Sequence, residues 1–474
     1  MVDLSPLDEK LRRVFPDEVV NKRLARLHQV SRLPRFISEY AVKRICGDDP
    51  SPADLARLSE FVSTYYPEPR DRDRILHELM SRGEYTILDE FRVSVDPKRG
   101  LRKVEIPSLG VRDAGILPEV LAEHRDLLGS GVWGIARLIY DPSLGEGGQT
   151  PIVVVEFDPI QYSGVDLARF KDGRAEFSTD EWIDVLMNTV GVNPSAYSRR
   201  EKLLYLTRLV PLAEPNVNLM ELGPRATGKS FVYKNISYYV RLYSGGSVSP
   251  AVLFFHGTLR TVGDLGVRDC VVFDEISKIR FSNPDEMVGK LKDYMESGEY
   301  ERGMAKRIRS TCSIVFLGNL EVVGRSPAQD PLQVLPSVMR GDSALLDRIH
   351  GLLPGWELPK IEQPEVHLSS GYGFVADYFC EILHLLRGED FRHLIEERVR
   401  LRADGGRVTI RDHKAIVRLS AGLLKLLFPH GEFSDDELSE VVSLAVEYRQ
   451  RIHEMLRAVS PGEFEPKRLG FEVV

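Results

Sequence analysis

The segment LMELGPRATGKS, Leu219 to Ser230, places an apolar strand run directly before a complete G-x-x-x-x-G-K-[ST] loop. Strand, glycine-rich loop and following helix in that order commit this region to a parallel α/β sheet that holds a nucleoside triphosphate at a strand end. Backbone N–H groups of such a loop converge on phosphate oxygens, its lysine reaches the β/γ-phosphates, and its hydroxyl ligates Mg²⁺. Gly223, Pro224, Arg225, Ala226, Thr227, Gly228, Lys229 and Ser230 are therefore the expected phosphate-binding residues, with Mg²⁺ on Ser230.

Hydrolysis needs a second group of residues. Cys270 to Phe273 is a short apolar run ending in Asp274 and Glu275, which reads as a buried parallel strand delivering two carboxylates at its C-terminal edge. Asp274 is expected to hold Mg²⁺, directly or through water, and Glu275 to polarise the attacking water. Thr311 to Leu317 is another buried-strand run, ending at Gly318 and Asn319. Asn319 either orients water against the γ-phosphate or is a turn asparagine tolerant of the left-handed region. Arg348 precedes the apolar stretch Ile349 to Leu353, where it serves either as a finger reaching a neighbouring subunit's γ-phosphate or as a surface salt bridge.

At 474 residues the chain is too long for one core and suggests two to four domains. Apolar content of 43% with 28% charged residues is ordinary for a globular protein. No run of 18 or more apolar residues occurs, and MVDLSPLDEKLRRVF carries charges where a signal sequence needs its apolar region, so a cytoplasmic protein without membrane association is expected. Cys46, Cys270, Cys312 and Cys380 lie far apart with no C-x-x-C pair, which supports neither a zinc site nor a disulfide framework. A net charge of −8 argues against electrostatic coating of nucleic acid over the whole surface but leaves room for a basic pore. Basic clusters at Lys22, Arg23 and Arg26, at Arg32, Arg35, Lys43 and Arg44, and at Lys306, Arg307 and Arg309 are solvated helix faces or binding sites.

The pattern along the chain predicts a multidomain α/β protein. Residues 1–84 read as a helical domain broken at Pro50 to Pro52 and Pro67 to Pro69. Residues 85–175 hold β-branched or alternating runs (FRVSV, RKVEIPSL, VWGIARLIY, PIVVVEF) separated by turn residues, as in a small barrel. Residues 176–210 form a helical connection, opened by a capped, acidic first turn at Ser178. The ATPase core is expected over 211–360, an all-helical lid over 361–460 with helices at Tyr378 to Arg398, Arg411 to Leu427 and Asp435 to Val459, and a tail over 461–474.

GPRATGKS, VVFDE, LKDYMESGEYERG, VFLGN, LLDRIHGLLPGWELPK, SAGLLKLLFPHGE and, further upstream, FSTDEWIDVLM together resemble the BrxL family, the Lon-related ATPases of BREX bacteriophage-defence systems. The resemblance covers most of the chain. It implies an AAA+ ATPase using ATP and Mg²⁺ and assembling as a homo-oligomeric ring, hexameric and either single or stacked. The ring would resemble MCM helicases, engage DNA, expected to be duplex, and work beside other defence-system proteins. RVTIRDHKAIVRLS resembles the MCM lid motif and places Arg411 at the second-sensor position. MCM-like rings project a hairpin into the channel from the region matching Glu299 to Ser310, which makes Arg302, Lys306, Arg307 and Arg309 candidate DNA contacts.

Two departures from the family pattern stand out. Ala226 occupies a loop position where the family commonly has glycine, one the motif leaves open, so nucleotide binding is still expected. Long members carry a Ser/Lys protease domain after the lid, whereas only Leu456 to Val474 follows the last strong helix here. That is short of the ~50 residues an independent domain needs, so no peptide-bond cleavage is expected. A DNA-engaging ring motor is the favoured reading, since the candidate pore segment ERGMAKRIRS is basic rather than aromatic. A protein-remodelling ATPase serving a separate protease and a nucleotide-gated scaffold are the alternatives.

Overall fold

The computed structural model describes residues 4–474 apart from 48–49, 129–130, 147–148, 161–163, 258–259 and 304, and excludes the side chains of residues 69, 146, 305 and 306. Two compact units result, one of Val20–Val165 and one of Leu4–Val19 with Asp166–Val474.

In the first unit, helices Arg35–Ile45, Pro52–Tyr65 and Arg72–Arg82 precede five strands. Ser51 starts the second helix with a reciprocal capping box to Asp54, and Gly83 at φ 82° ends the third in the left-handed conformation that glycine adopts without a Cβ clash. The strands are β1 (Glu84–Asp96), β2 (Leu101–Ile106), β3 (Val111–Ile116), β4 (Val132–Tyr140) and β5 (Ile152–Pro159). They close into a barrel in the order β1-β2-β3-β5-β4. Closure is possible because the long β1 pairs β4 with its first half and β2 with its second. Inward positions, including Ile87, Phe91, Val104, Ala136, Leu138, Val154 and Phe157, form the core with Ile75 and Leu79 of the third helix. Gly134 is required where the Phe157 ring crosses β4, since a Cβ there would lie 2.4 Å from the ring.

Much of the basic residue content of this unit is internally paired. Lys22 is fully buried with Nζ 2.8 Å from the Glu39 carboxylate, which also accepts from Arg35 at 2.7 Å. Burial pushes the Glu39 carboxyl upward, but the two cations and their hydrogen bonds hold it below its ordinary range. Lys22 and Arg35 are therefore internal ion partners and do not face solvent as a binding surface.

The second unit begins with the helix Pro6–Val14, which the sequence groups with the N-terminal helices. Its C-cap residue Phe15 packs into an aromatic cluster with Phe170, Phe177, Trp182 and Phe374, and Lys10 pairs with Glu181 at 2.7 Å. The central sheet comprises β6 (Asn218–Gly223), β7 (Val240–Val248), β8 (Cys270–Phe281), β11 (Ser313–Asn319) and β12 (Gly351–Pro354). Between β8 and β11, the helix Pro284–Ser297 leads into an antiparallel hairpin, β9 (Glu299–Arg302) and β10 (Ala305–Arg309). The sheet is parallel throughout, in the order β12-β6-β11-β8-β7. Strand β6, which carries the phosphate loop, is buried along its whole length, as an interior strand of a parallel sheet must be.

Helices Ala376–Leu386, Arg392–Arg398, Ile410–Leu427 and Asp435–Val459 follow. The expected all-helical lid and C-terminal tail need correction. Strand β13 (Val399–Asp404) pairs antiparallel with β14 (Arg468–Val473), so the last residues form sheet within the same structure. The side chains of β13 alternate in burial, a period of two that fits a strand, and the helix expected over Tyr378 to Arg398 breaks after Leu386. Arg449 ties the helix Asp435–Val459 to the segment before β12, donating to the Ile349 carbonyl at 2.8 Å, and to the helix Ile410–Leu427, donating to Asp412 at 2.9 Å. Among the described residues no helix is long and apolar enough to cross a membrane, and no cluster of His, Cys, Asp and Glu could hold a metal ion.

Candidate active site

Beyond the C-terminal ends of β6, β8 and β11 lies a cleft of about 380 Å³ lined by residues 225–231, Ser244, Asp274, Glu275 and Asn319. The position is the one where parallel α/β sheets bind ligands, between the neighbouring strands β6 and β11, whose connections run to opposite edges of the sheet, to β7 and to β12. Register assembles the parts. Asn319 pairs with Gly223 across β11 and β6, and Asp274 pairs with Ser244 across β8 and β7. Four sequence-distant segments thus deliver a lysine, two carboxylates, an amide and hydroxyls to one opening.

Lys229 is buried, and its Nζ donates to the Gly223 carbonyl at 3.0 Å and to that of Pro224. Burial lowers its pKa to about 8, assisted by Arg208 and opposed by Glu221 and Asp274. A nearby anion restores the charged form, so the ammonium is suited to a phosphate. Asp274 is buried, with Ser244 Oγ 3.5 Å from one carboxylate oxygen and the Glu275 N–H donating to the other at 3.0 Å. Glu275 is half-buried, pairs with Lys278 at 2.9 Å and has φ 50°, uncommon for a residue with a side chain. Strand β8 does not end at the carboxylates as the sequence suggests. It runs on to Phe281 after a register shift between Asp274 and Ile279, and the irregularity turns Glu275 into the cleft.

Ala226 has φ 66°. The position that the motif leaves open therefore requires left-handed backbone, which favours glycine.

Arg348 and Arg411 lie elsewhere. Both approach the Glu296 carboxylate, Arg411 Nε at 3.0 Å and Arg348 Nε at 3.4 Å, while Arg411 also pairs with Asp347 at 2.6 Å. In the hairpin, Arg307 and Arg309 are exposed and each lies 2.7 Å from Glu299. Arg302 pairs with Glu286 at 3.1 Å. The Lys306 side chain lies outside the described residues.

Sequence reasoning missed Ser244, Lys278 and the buried pair Arg208–Glu221 beneath the loop. The last had a signal: Glu221 interrupts the apolar run LMEL, and Arg208 sits in LTRLVPL. A charge inside a buried strand run needs a partner.

The architecture and the cleft agree with the family models that match the chain. One described as "Lon-like protease BrxL-like, ATPase domain" matches residues 152–470, and one described as "BREX system Lon protease-like protein BrxL N-terminal" matches residues 13–140. The chain belongs to the BrxL family. Its BrxL relatives include the Lon-like protease BrxL of Bacillus cereus (strain H3081.97), 33% identical over 470 residues, 97% of this chain and 68% of the relative. The Lon-like protease BrxL of Escherichia coli O9:H4 (strain HS) is 33% identical over 465 residues, 97% of this chain and 66% of the relative. The chain thus spans about two thirds of the length of these BrxL proteins, and it includes their ATPase domain.

Proposed function

We propose that this chain is an AAA+ ATP hydrolase that assembles as a homo-oligomeric ring, engages duplex DNA and acts in bacteriophage defence of the BREX type. The observation that carries the hydrolase reading is the convergence of Lys229, Ser230, Asp274, Glu275 and Asn319 on one cleft. The loop N–H groups and Lys229 bind the triphosphate, Glu275 takes a proton from the attacking water, and Asn319 orients that water. Ser230 and Asp274 offer the hard oxygen donors that suit Mg²⁺, which neutralises phosphate charge when bound. Belonging to a family with an ATPase domain supports the same reading.

DNA engagement is supported by the hairpin, which presents Arg307 and Arg309 to solvent although the whole chain is acidic. Rings would place one such hairpin per subunit around a channel and concentrate its charge.

The decisive experiment separates binding from turnover. Lys229→Ala should abolish ATP binding, whereas Glu275→Gln should retain binding and lose at least ~10²-fold in turnover. A Glu275→Gln protein that hydrolyses ATP at the wild-type rate overturns the base assignment. Imaging with a non-hydrolysable ATP analogue, with and without duplex DNA, reports ring stoichiometry and pore contents together.

A further inference from the structure

Arg208, at the end of the helix Arg199–Thr207, is wholly buried and donates to four oxygens, two of Glu221 and two of Thr227. Its Nε and Nη2 bind the two Glu221 carboxylate oxygens at 3.0 and 2.7 Å, and Nη1 binds the Thr227 carbonyl at 2.9 Å. The guanidinium also stacks over the Tyr205 ring at 4.3 Å. Glu221 is equally buried, in β6, two residues before the phosphate loop begins. One planar cation is thus fixed on a strand carboxylate and also donates to the loop, to the Thr227 carbonyl and, at 3.5 Å, to the Thr227 hydroxyl.

The consequence follows from peptide geometry. In a trans peptide the carbonyl and the next residue's N–H point in opposite directions. With the Thr227 carbonyl held down on Arg208, the Gly228 N–H is turned to the cleft side. The Ile361 N–H does the same one peptide earlier, binding the Ala226 carbonyl at 2.7 Å and so turning the Thr227 N–H outward. Among the described residues neither of these loop N–H groups binds a backbone carbonyl. Gly228 is fixed further by φ 78° and by Tyr205, whose hydroxyl would lie 2.7 Å from any Cβ added there.

We propose that Arg208, oriented by Glu221, is a positioning residue for nucleotide binding. It holds the Thr227–Gly228 peptide with its N–H aimed at the triphosphate, so that the donors are preorganised before the ligand arrives. Arg208 touches no substrate and acts only through that peptide. A lysine could not replace it, since one ammonium lacks the planar fork that reaches the carboxylate and the carbonyl together. The proposal rests on the nucleotide reading of the cleft.

The test uses the full chain with three variants, Arg208→Met, Arg208→Met/Glu221→Met and Arg208→Lys. Each is measured for melting temperature and, well below that temperature, for affinity toward a non-hydrolysable ATP analogue with Mg²⁺. Removing Arg208 alone strands a buried carboxylate, so both stability and affinity fall. The double variant removes both charges and should recover most of the melting temperature, while nucleotide affinity stays about tenfold or more below wild type. KM should rise with kcat little changed, because Glu275 and Asn319 keep their places. A folded double variant with wild-type affinity overturns the proposal and leaves the pair as core structure. Should the double variant fail to fold, Arg208→Lys decides: wild-type affinity overturns the proposal, and weakened affinity at retained melting temperature supports it. A wild-type chain that binds no nucleotide refutes the reading of the cleft itself, which Lys229→Ala as a control distinguishes from failure of the positioning role.

Discussion

Arg411 donates to the Glu296 carboxylate at 3.0 Å, and Arg348 stands 3.4 Å from the same carboxylate oxygen. The two arginines that sequence reasoning assigned to separate roles therefore share one counter-charge at the end of the helix Pro284–Ser297. They are remote from their own cleft. The Arg348 carbonyl accepts from Asn218 at 3.0 Å, at the start of β6, whereas the phosphate loop begins at Gly223, five residues and roughly 16 Å further along the strand.

That geometry predicts action across a subunit boundary. Mixing Arg348→Ala chains with Lys229→Ala chains should restore part of the hydrolysis that each lacks alone, since some interfaces then keep both functional halves. The single Arg348→Ala loss can reach ~10³-fold in turnover. No recovery in any mixture, with subunit exchange confirmed, would leave Arg348 a structural partner of Glu296.

The DNA contact proposed for the hairpin has an acidic competitor within the hairpin itself. Glu299 faces Arg309 across the strands and pairs with both Arg307 and Arg309. Replacing Arg307 and Arg309 by Ala should weaken duplex binding equally for unrelated sequences and flatten the salt dependence of log affinity by up to ~1.8, at ~0.9 per lost phosphate contact. Glu299→Gln should shift affinity the other way. Salt titrations on intact assemblies check both, and an unchanged slope in the arginine variant would move the DNA contact elsewhere.

Ala226 in left-handed backbone stores strain that glycine would release. A Cβ there costs about 1–2 kcal/mol, partly offset by the larger unfolded-state entropy of glycine, so Ala226→Gly should stabilise the protein by about 0.5–1 kcal/mol. The urea midpoint should rise without loss of ATP affinity. A lower midpoint would show that the loop is held in that conformation without strain.

Acid stability should depend on Asp412. Burial raises its carboxyl, but Arg449, Lys467 and the Thr409 N–H outweigh this and bring its pKa down to about 2. A depressed carboxyl stabilises the fold above its unfolded value and ceases to do so as pH falls through the folded one, so this contribution is intact above about pH 5 and lost toward pH 2. Its size is about 2 kcal/mol. In denaturant melts over that range, Asp412→Asn should be destabilised at pH 6 and should show a shallower acid decline than wild type. Parallel declines would assign the acid sensitivity to other carboxylates.

The sequence alone was sufficient for the phosphate loop, the apolar run leading into Asp274 and Glu275 and the Asn319 strand tip, because each is a short motif joined to an apolar run whose period identifies a buried strand, but not for the continuation of β8 past the carboxylates to Phe281. The order of those runs also implied a parallel sheet with the loop at the C-terminal end of its strands. Tertiary structure decided everything that depends on which distant residues meet. It placed Arg208 under Thr227, brought Arg348 and Arg411 to Glu296, and paired β13 with a strand more than sixty residues later. It also revealed the left-handed backbone at Ala226 and Glu275, since φ is set by the closure of the loop and the irregularity in β8 and not by residue type. Local periodicity and motif spacing record the solvent side and the chemistry of a segment. The partner of a buried charge is chosen by packing across the sheet, and that choice leaves in the sequence only an unexplained charge inside an apolar run.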